Sequence, residues 1–133
     1  MPGQVMVPIA IGELFDKISI LEIKMERIDD AQKLRNVSTE LMLLNEIADR
    51  LDCTREDEVV RLRQELRTVN EAIWDAENKV RQLAGAGGFD ASFASVASVT
   101  YSNNDRRASI KRQLSLLSGS LILEEKSHAR TPA

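Results

Sequence analysis

Apolar residues in this chain recur in alternating steps of three and four, and the alternation holds through four separate segments. The first, 11–28, carries Ile11, Leu14, Ile18, Leu21, Met25 and Ile28. The second, 31–51, carries Leu34, Val37, Leu41, Leu44, Ala48 and Leu51. The third, 55–84, carries Val59, Leu62, Leu66, Val69, Ile73, Ala76, Val80 and Leu83. The fourth, 89–118, carries Phe89, Phe93, Val96, Thr100, Asn103, Arg107, Ile110, Leu114 and Leu117, with Leu121 next in phase. A mean step of 3.5 puts each set on one stripe of a helix, the seam of helices that pack lengthwise. Ile20 and Ile23 give the first helix a second apolar side, as expected of an element buried between neighbours.

The interruptions are as informative as the seams. The step from Ile28 to Leu34 breaks phase, and Asp30 is placed to accept the orphan amides of a new helix. So short a connection makes helices one and two antiparallel neighbours. Thr54 with Asp57 reads as a capping box for helix three, which then spans about 45 Å. The run AGAGG, 84–88, ends it. Ser102 with Asp105 offers a cap inside the fourth segment, but the unbroken phase favours one long helix there. Its serines Ser92, Ser95, Ser98, Ser102 and Ser109 fall on the solvent side. Pro2 and Pro8 keep residues 1–10 out of a helix, leaving an extended strap in which Val5, Met6 and Val7 have Leu121, Ile122 and Leu123 as a possible pairing strand. The tail, 124–133, is polar.

The fold expectation is therefore all-α: one domain of 133 residues, an antiparallel up-and-down four-helix bundle in which helices three and four form a long hairpin. Aromatic residues at 4% are too few for a β-sandwich or barrel. Helices one and two are shorter than the hairpin. Part of its seam then overhangs them, and covering that seam with a second copy predicts a homodimer.

Composition narrows the function classes. The net charge of −3 gives no global field for nucleic acid. Arg61, Arg63 and Arg67 interleave with Glu56, Glu58 and Glu65 as solvated helix-face charges. One cysteine, Cys53, precludes an internal disulfide, and a single histidine, His128, argues against zinc or Cys-His chemistry. The opening MPGQVMVPIAIGEL is read as neither a signal peptide nor a membrane span, so the expected compartment is the cytoplasm, with no membrane or nucleic-acid partner. No cofactor is implied. Glu22, Glu26, Glu71 and Glu77 superficially imitate a metal-binding carboxylate cluster, but no tight pair faces another, and no metal site is expected.

One feature departs from the pattern. The fourth seam is apolar at both ends and polar between them: Thr100, Asn103, Asn104, Arg107 and Lys111 share about a third of the helix circumference. An unpaired buried arginine costs roughly 3–5 kcal/mol, a large share of a small domain's stability. Arg107 therefore needs a partner, water or a ligand. Asn70 and Glu77 on helix three, and Glu22 and Lys17 on helix one, flank the facing seams. Two readings stand. The layer is a structural ion-pair and amide network that sets register. Alternatively, Arg107 and Lys111, one turn apart, hold a phosphate or carboxylate that Asn103 and Thr100 orient. A surface that docks a partner protein is a third use for the same patch.

The stretches GELFDKISILEIKMERI (12–28), VNEAIWDAEN (69–78), YSNNDRRASIKRQ (101–113) and GSLILEEKS (119–127) occur together in this order. By these motifs the chain resembles a family of short, uncharacterised bacterial proteins. The resemblance implies a stand-alone bacterial domain and supplies no catalytic residues. Relatives of that kind carry serine where Ala10 stands, which predicts a weakened cap on helix one, and tyrosine where His128 stands. The polar layer is also loosely similar to that of the all-helical chorismate mutases in residue types, through Lys17, Asn70, Glu77, Arg107 and Lys111. Order and spacing differ, so no roles carry over; the likeness implies only that such a core is able to hold a dicarboxylate.

Overall fold

Four helices follow one another along the chain: α1 (Ile11–Arg27), α2 (Ala31–Asp49), α3 (Asp57–Gly85) and α4 (Ala91–Leu117), with a 3-10 turn, Asp52–Arg55, between α2 and α3. The computed structural model describes residues 3–87 and 91–125. Phe89, His128 and the tail beyond residue 125 lie outside the described residues. Among the described residues there is no strand, and none of their helices is long and apolar enough to cross a membrane.

The long hairpin is present. α3 and α4 pack lengthwise, α1 lies against both, and α2 packs along α1 and the 3-10 turn. The seams of α1 and α3 supply most of the core: Leu14, Phe15 and Ile18 meet Val59, Leu62, Leu66, Val69 and Ile73, while α4 adds Ile110 and Leu114 and α2 adds Ala48. α4 is continuous through Ser102, as its unbroken phase predicts. α1 has the two buried sides expected of it, with Ile23 as enclosed as Ile18.

Helix ends follow local chemistry. Asp30 caps α2, its carboxylate accepting the Lys33 N–H at 2.9 Å. The capping box expected at Thr54 is absent. Thr54 instead donates its hydroxyl to the Ala48 carbonyl at 2.6 Å, which ties the 3-10 turn to the end of α2, and α3 begins after Glu56 without a side-chain cap. The strand pairing of Val5–Val7 with Leu121–Leu123 is also absent. Gly119 adopts φ +71°, and the Ser120 N–H bonds back to the Ser115 carbonyl at 2.9 Å. This reversal sends residues 120–125 back along α4, and Leu117 and Leu121, expected in the seam, end up exposed.

Ala10 caps α1 with no side-chain bond, yet the helix start is not left unsatisfied. The Gly12 N–H donates to the buried Ser115 hydroxyl at 2.9 Å, and the Ile11 N–H donates to the Ser120 hydroxyl at 3.2 Å. Serines at the far end of the chain replace the missing local cap. They reach because α1 and α4 nearly touch: a Cβ on Gly12 would lie 2.0 Å from the Lys111 carbonyl oxygen. Glycine is thus required at this crossing.

Candidate functional site

The close crossing at Gly12 fixes the register of α1 against α4 and sets the next turn of each helix side by side. On α1 that turn carries Asp16; on α4 it carries Arg107. Asp16 is 1% exposed. Arg107 forks onto it, Nε to Oδ1 at 2.9 Å and Nη2 to Oδ2 at 2.5 Å. Asn70 of α3 donates Nδ2 to the same Oδ1 at 2.9 Å and to the Ser19 hydroxyl at 3.2 Å. Lys111 Nζ lies 3.7 Å from Asp16 Oδ2. Three helices therefore meet in one polar layer, and the buried carboxylate at its centre has partners on both oxygens.

The cations of the layer are engaged. The hydrogen bonds it donates to Asp16 hold the Arg107 guanidinium above its ordinary pKa against the opposing effect of burial. Lys111 bonds Glu13 at 2.5 Å and lies 3.6 Å from Glu124. Burial pulls its ammonium down, but the Glu13 bond and the charges of Asp16, Glu13 and Glu124 outweigh that and raise it. Arg112 pairs with Glu125 at 2.7 Å. Beside these groups runs a groove of about 540 Å³ lined by Glu13, Arg107, Lys111, Arg112, Glu124 and Glu125, among others, with Asn104 and Ser109 at its wall.

Of the residues singled out from the sequence, Arg107, Lys111 and Asn70 come together here, and Asn104 lines the groove. Thr100, Asn103 and Asn104 each bond a backbone carbonyl one turn earlier on α4 and do not reach the layer's carboxylate. The expected partners of Arg107 need correction. Glu77 is exposed and acts on Arg107 only through its charge. Lys17 pairs with Glu13 at 3.6 Å on the solvent side. Glu22 lines a different groove, of about 460 Å³, with Phe15, Arg63, Arg67 and Thr68, where Arg63 stacks 4.6 Å above the Phe15 ring. Of the acidic set Glu22, Glu26, Glu71 and Glu77, Glu26 and Glu71 are engaged by Arg67, at 2.7 and 3.1 Å. Arg27 adds a contact to Glu71 and bonds Asp75 at 2.7 Å.

The residues that sequence reasoning missed are Asp16, Ser19, Glu13 and Ser115. A signal for Asp16 was present. Gly12, Asp16, Ser19 and Ile23 form a second stripe on α1 with alternating steps of four and three, so Asp16 shares a face with Ile23, the complement of Arg107 on α4. Ser115 follows Leu114 and looks like any serine beside a seam, so nothing local marks it.

No curated protein and no solved structure matches the chain. The family described as "Family of unknown function (DUF6165)" matches residues 5–133, which include the layer and the three helices that build it. The chain belongs to this family.

Proposed function

We propose that this chain is a cytoplasmic, non-catalytic helical interaction module that works as a homodimer, with the Asp16–Arg107–Asn70 layer as its internal register key. The carrying observation is that the buried Asp16 carboxylate is matched on both oxygens within the chain. A layer so saturated offers a ligand no vacant charge, and its energetic role is to penalise any other alignment of α1 on the hairpin. The dimer reading is supported by the hairpin's far end. α1 stops at Arg27 beside Asp75, and beyond that level the seam residues Val80, Leu83, Phe93 and Val96 are only half-buried, with Val99 and Tyr101 exposed. Light scattering coupled to size exclusion tests it. The expected result is a dimer at micromolar concentration that Val96→Glu or Val99→Glu converts to a folded monomer; a wild-type monomer contradicts the reading.

A second reading, binding of a small carboxylate or phosphate, is favoured by one observation: Lys111 and Arg112 already hold the carboxylates of Glu124 and Glu125 in the groove. It predicts that millimolar phosphate or a dicarboxylate raises the melting temperature and that Arg112→Ala removes the rise. An unchanged melting curve counts against it.

A further inference from the structure

The second groove, of about 460 Å³, runs between α1 and α3 and has the size of a small-ligand site. It shares no residue with the groove beside Lys111 or with the uncovered seam of the hairpin. Phe15, Ser19 and Glu22 line it from α1; Arg63, Gln64 and Arg67 are among its residues from α3.

Three arginines among the described residues are half-buried: Arg63, Arg67 and Arg107. Arg67 and Arg107 are each bonded to carboxylates. Arg63 differs. It has no ion pair or hydrogen bond among the described residues, and its guanidinium is held 4.6 Å above the ring of Phe15, which is 1% exposed. Contact over a ring engages the flat face of the group, while its five N–H donors lie in the plane and are left without an acceptor in the chain. Arg63 is thus a positioned cation with an open edge.

Two turns further along α1, Glu22 lines the same groove. It is half-buried and has no hydrogen bond or ion pair among the described residues. It acts on Arg67 only through its charge, and Arg67 already serves Glu26 at 2.7 Å and Glu71 at 3.1 Å. Arg27 reaches Glu71 at 3.8 Å but is committed to Asp75. One end of the groove therefore carries an unmatched positive charge and the other an excess of negative charge. Phe15 and Glu22 are about 10 Å apart along the helix at 1.5 Å per residue, so the two ends do not neutralise each other. Between them, the Ser19 hydroxyl accepts from Asn70 at 3.2 Å and keeps its own hydrogen to donate.

We propose that this groove binds an amphoteric ligand of short-peptide length, its carboxylate on the Arg63 guanidinium and its ammonium on Glu22. Three extended residues span about 10 Å, which matches the separation of the charged ends, and the inner amide groups would meet Ser19 and Gln64. The site does not depend on dimerisation of the chain.

The test is a titration of the full 15N-labelled chain with trialanine, read in backbone amide shifts and in the Nε–H signal of Arg63. The expected result is saturable shifts of that signal and of residues 15–22 and 60–68. N-acetyl-trialanine and trialanine amide each lack one charge and should bind about tenfold more weakly. In Arg63→Gln the amide should bind as well as trialanine, and in Glu22→Gln the acetylated form should do so. The amides of residues 110–115 report that the core of each variant is intact, and the comparison of the three peptides needs no variant. Absence of saturable shifts would overturn the proposal, as would equal binding of all three peptides to the wild type. Shifts confined to the surroundings of Lys111 and Arg112 would also overturn it, and would favour carboxylate binding in the other groove.

Discussion

Asp16 is the most enclosed ionisable residue of the polar layer, and its environment shows what a buried charge requires. Removing water from a carboxylate costs several kcal/mol, and the fork of Arg107 with the amide of Asn70 offsets that loss. Arg107→Met alone should therefore destabilise by about 3–5 kcal/mol in urea denaturation, since it leaves Asp16 buried without its cation. Lys111→Met should cost less, because Lys111 sits 3.7 Å from Asp16 and at the layer's edge. It should instead alter the alkaline limb of the stability profile. The folded-state value of Lys111 is raised, so its contribution is present below the ordinary lysine value and disappears as pH climbs through the raised one. Melting temperatures across that range should fall in the wild type and fall less in Lys111→Met.

At the scale of elements, the α1–α4 crossing holds the layer together. Alanine normally favours a helix over glycine by about 1 kcal/mol. Gly12→Ala should nevertheless destabilise by about 3 kcal/mol or more, because the new methyl would overlap the Lys111 carbonyl and force the helices apart. Ser115→Ala should cost about 1–3 kcal/mol by leaving the Gly12 amide buried without an acceptor; thermal melts of both variants check this. These elements also show which parts of the structure were legible in the sequence. The three-four alternation gave four helices and the continuity of α4, because periodicity reports directly on which face is covered. Arg107 stood out because a charge in an apolar seam breaks a strong pattern, and Lys111, one turn on, and Asn70, flanking the facing seam, were found by looking for its neighbours. Asp16 and Ser115 did not stand out, since their significance depends on which helix lies opposite, a tertiary fact. Ala10 gives α1 no side-chain cap, as expected, but what replaces that cap was not legible; the box expected at Thr54 fails because its hydroxyl turns back to the Ala48 carbonyl. Local capping rules assume a local partner, and here α1 borrows its acceptors from residues more than a hundred positions away.

For the whole molecule, the arrangement is a hairpin with a saturated polar layer near the start of α1 and an uncovered apolar seam at its far end. On the proposed reading, the first feature selects one alignment of helices and the second is the surface that a second copy would cover. If the proposed reading is right, the layer is a closed internal network. That closure is tested most directly by a double-mutant cycle in urea on Asp16→Leu, Arg107→Met and the two combined. Each single variant should lose about 3–5 kcal/mol, while the double variant should return to within about 1 kcal/mol of wild type. Single variants of near-wild-type stability, or losses that simply add, would contradict it.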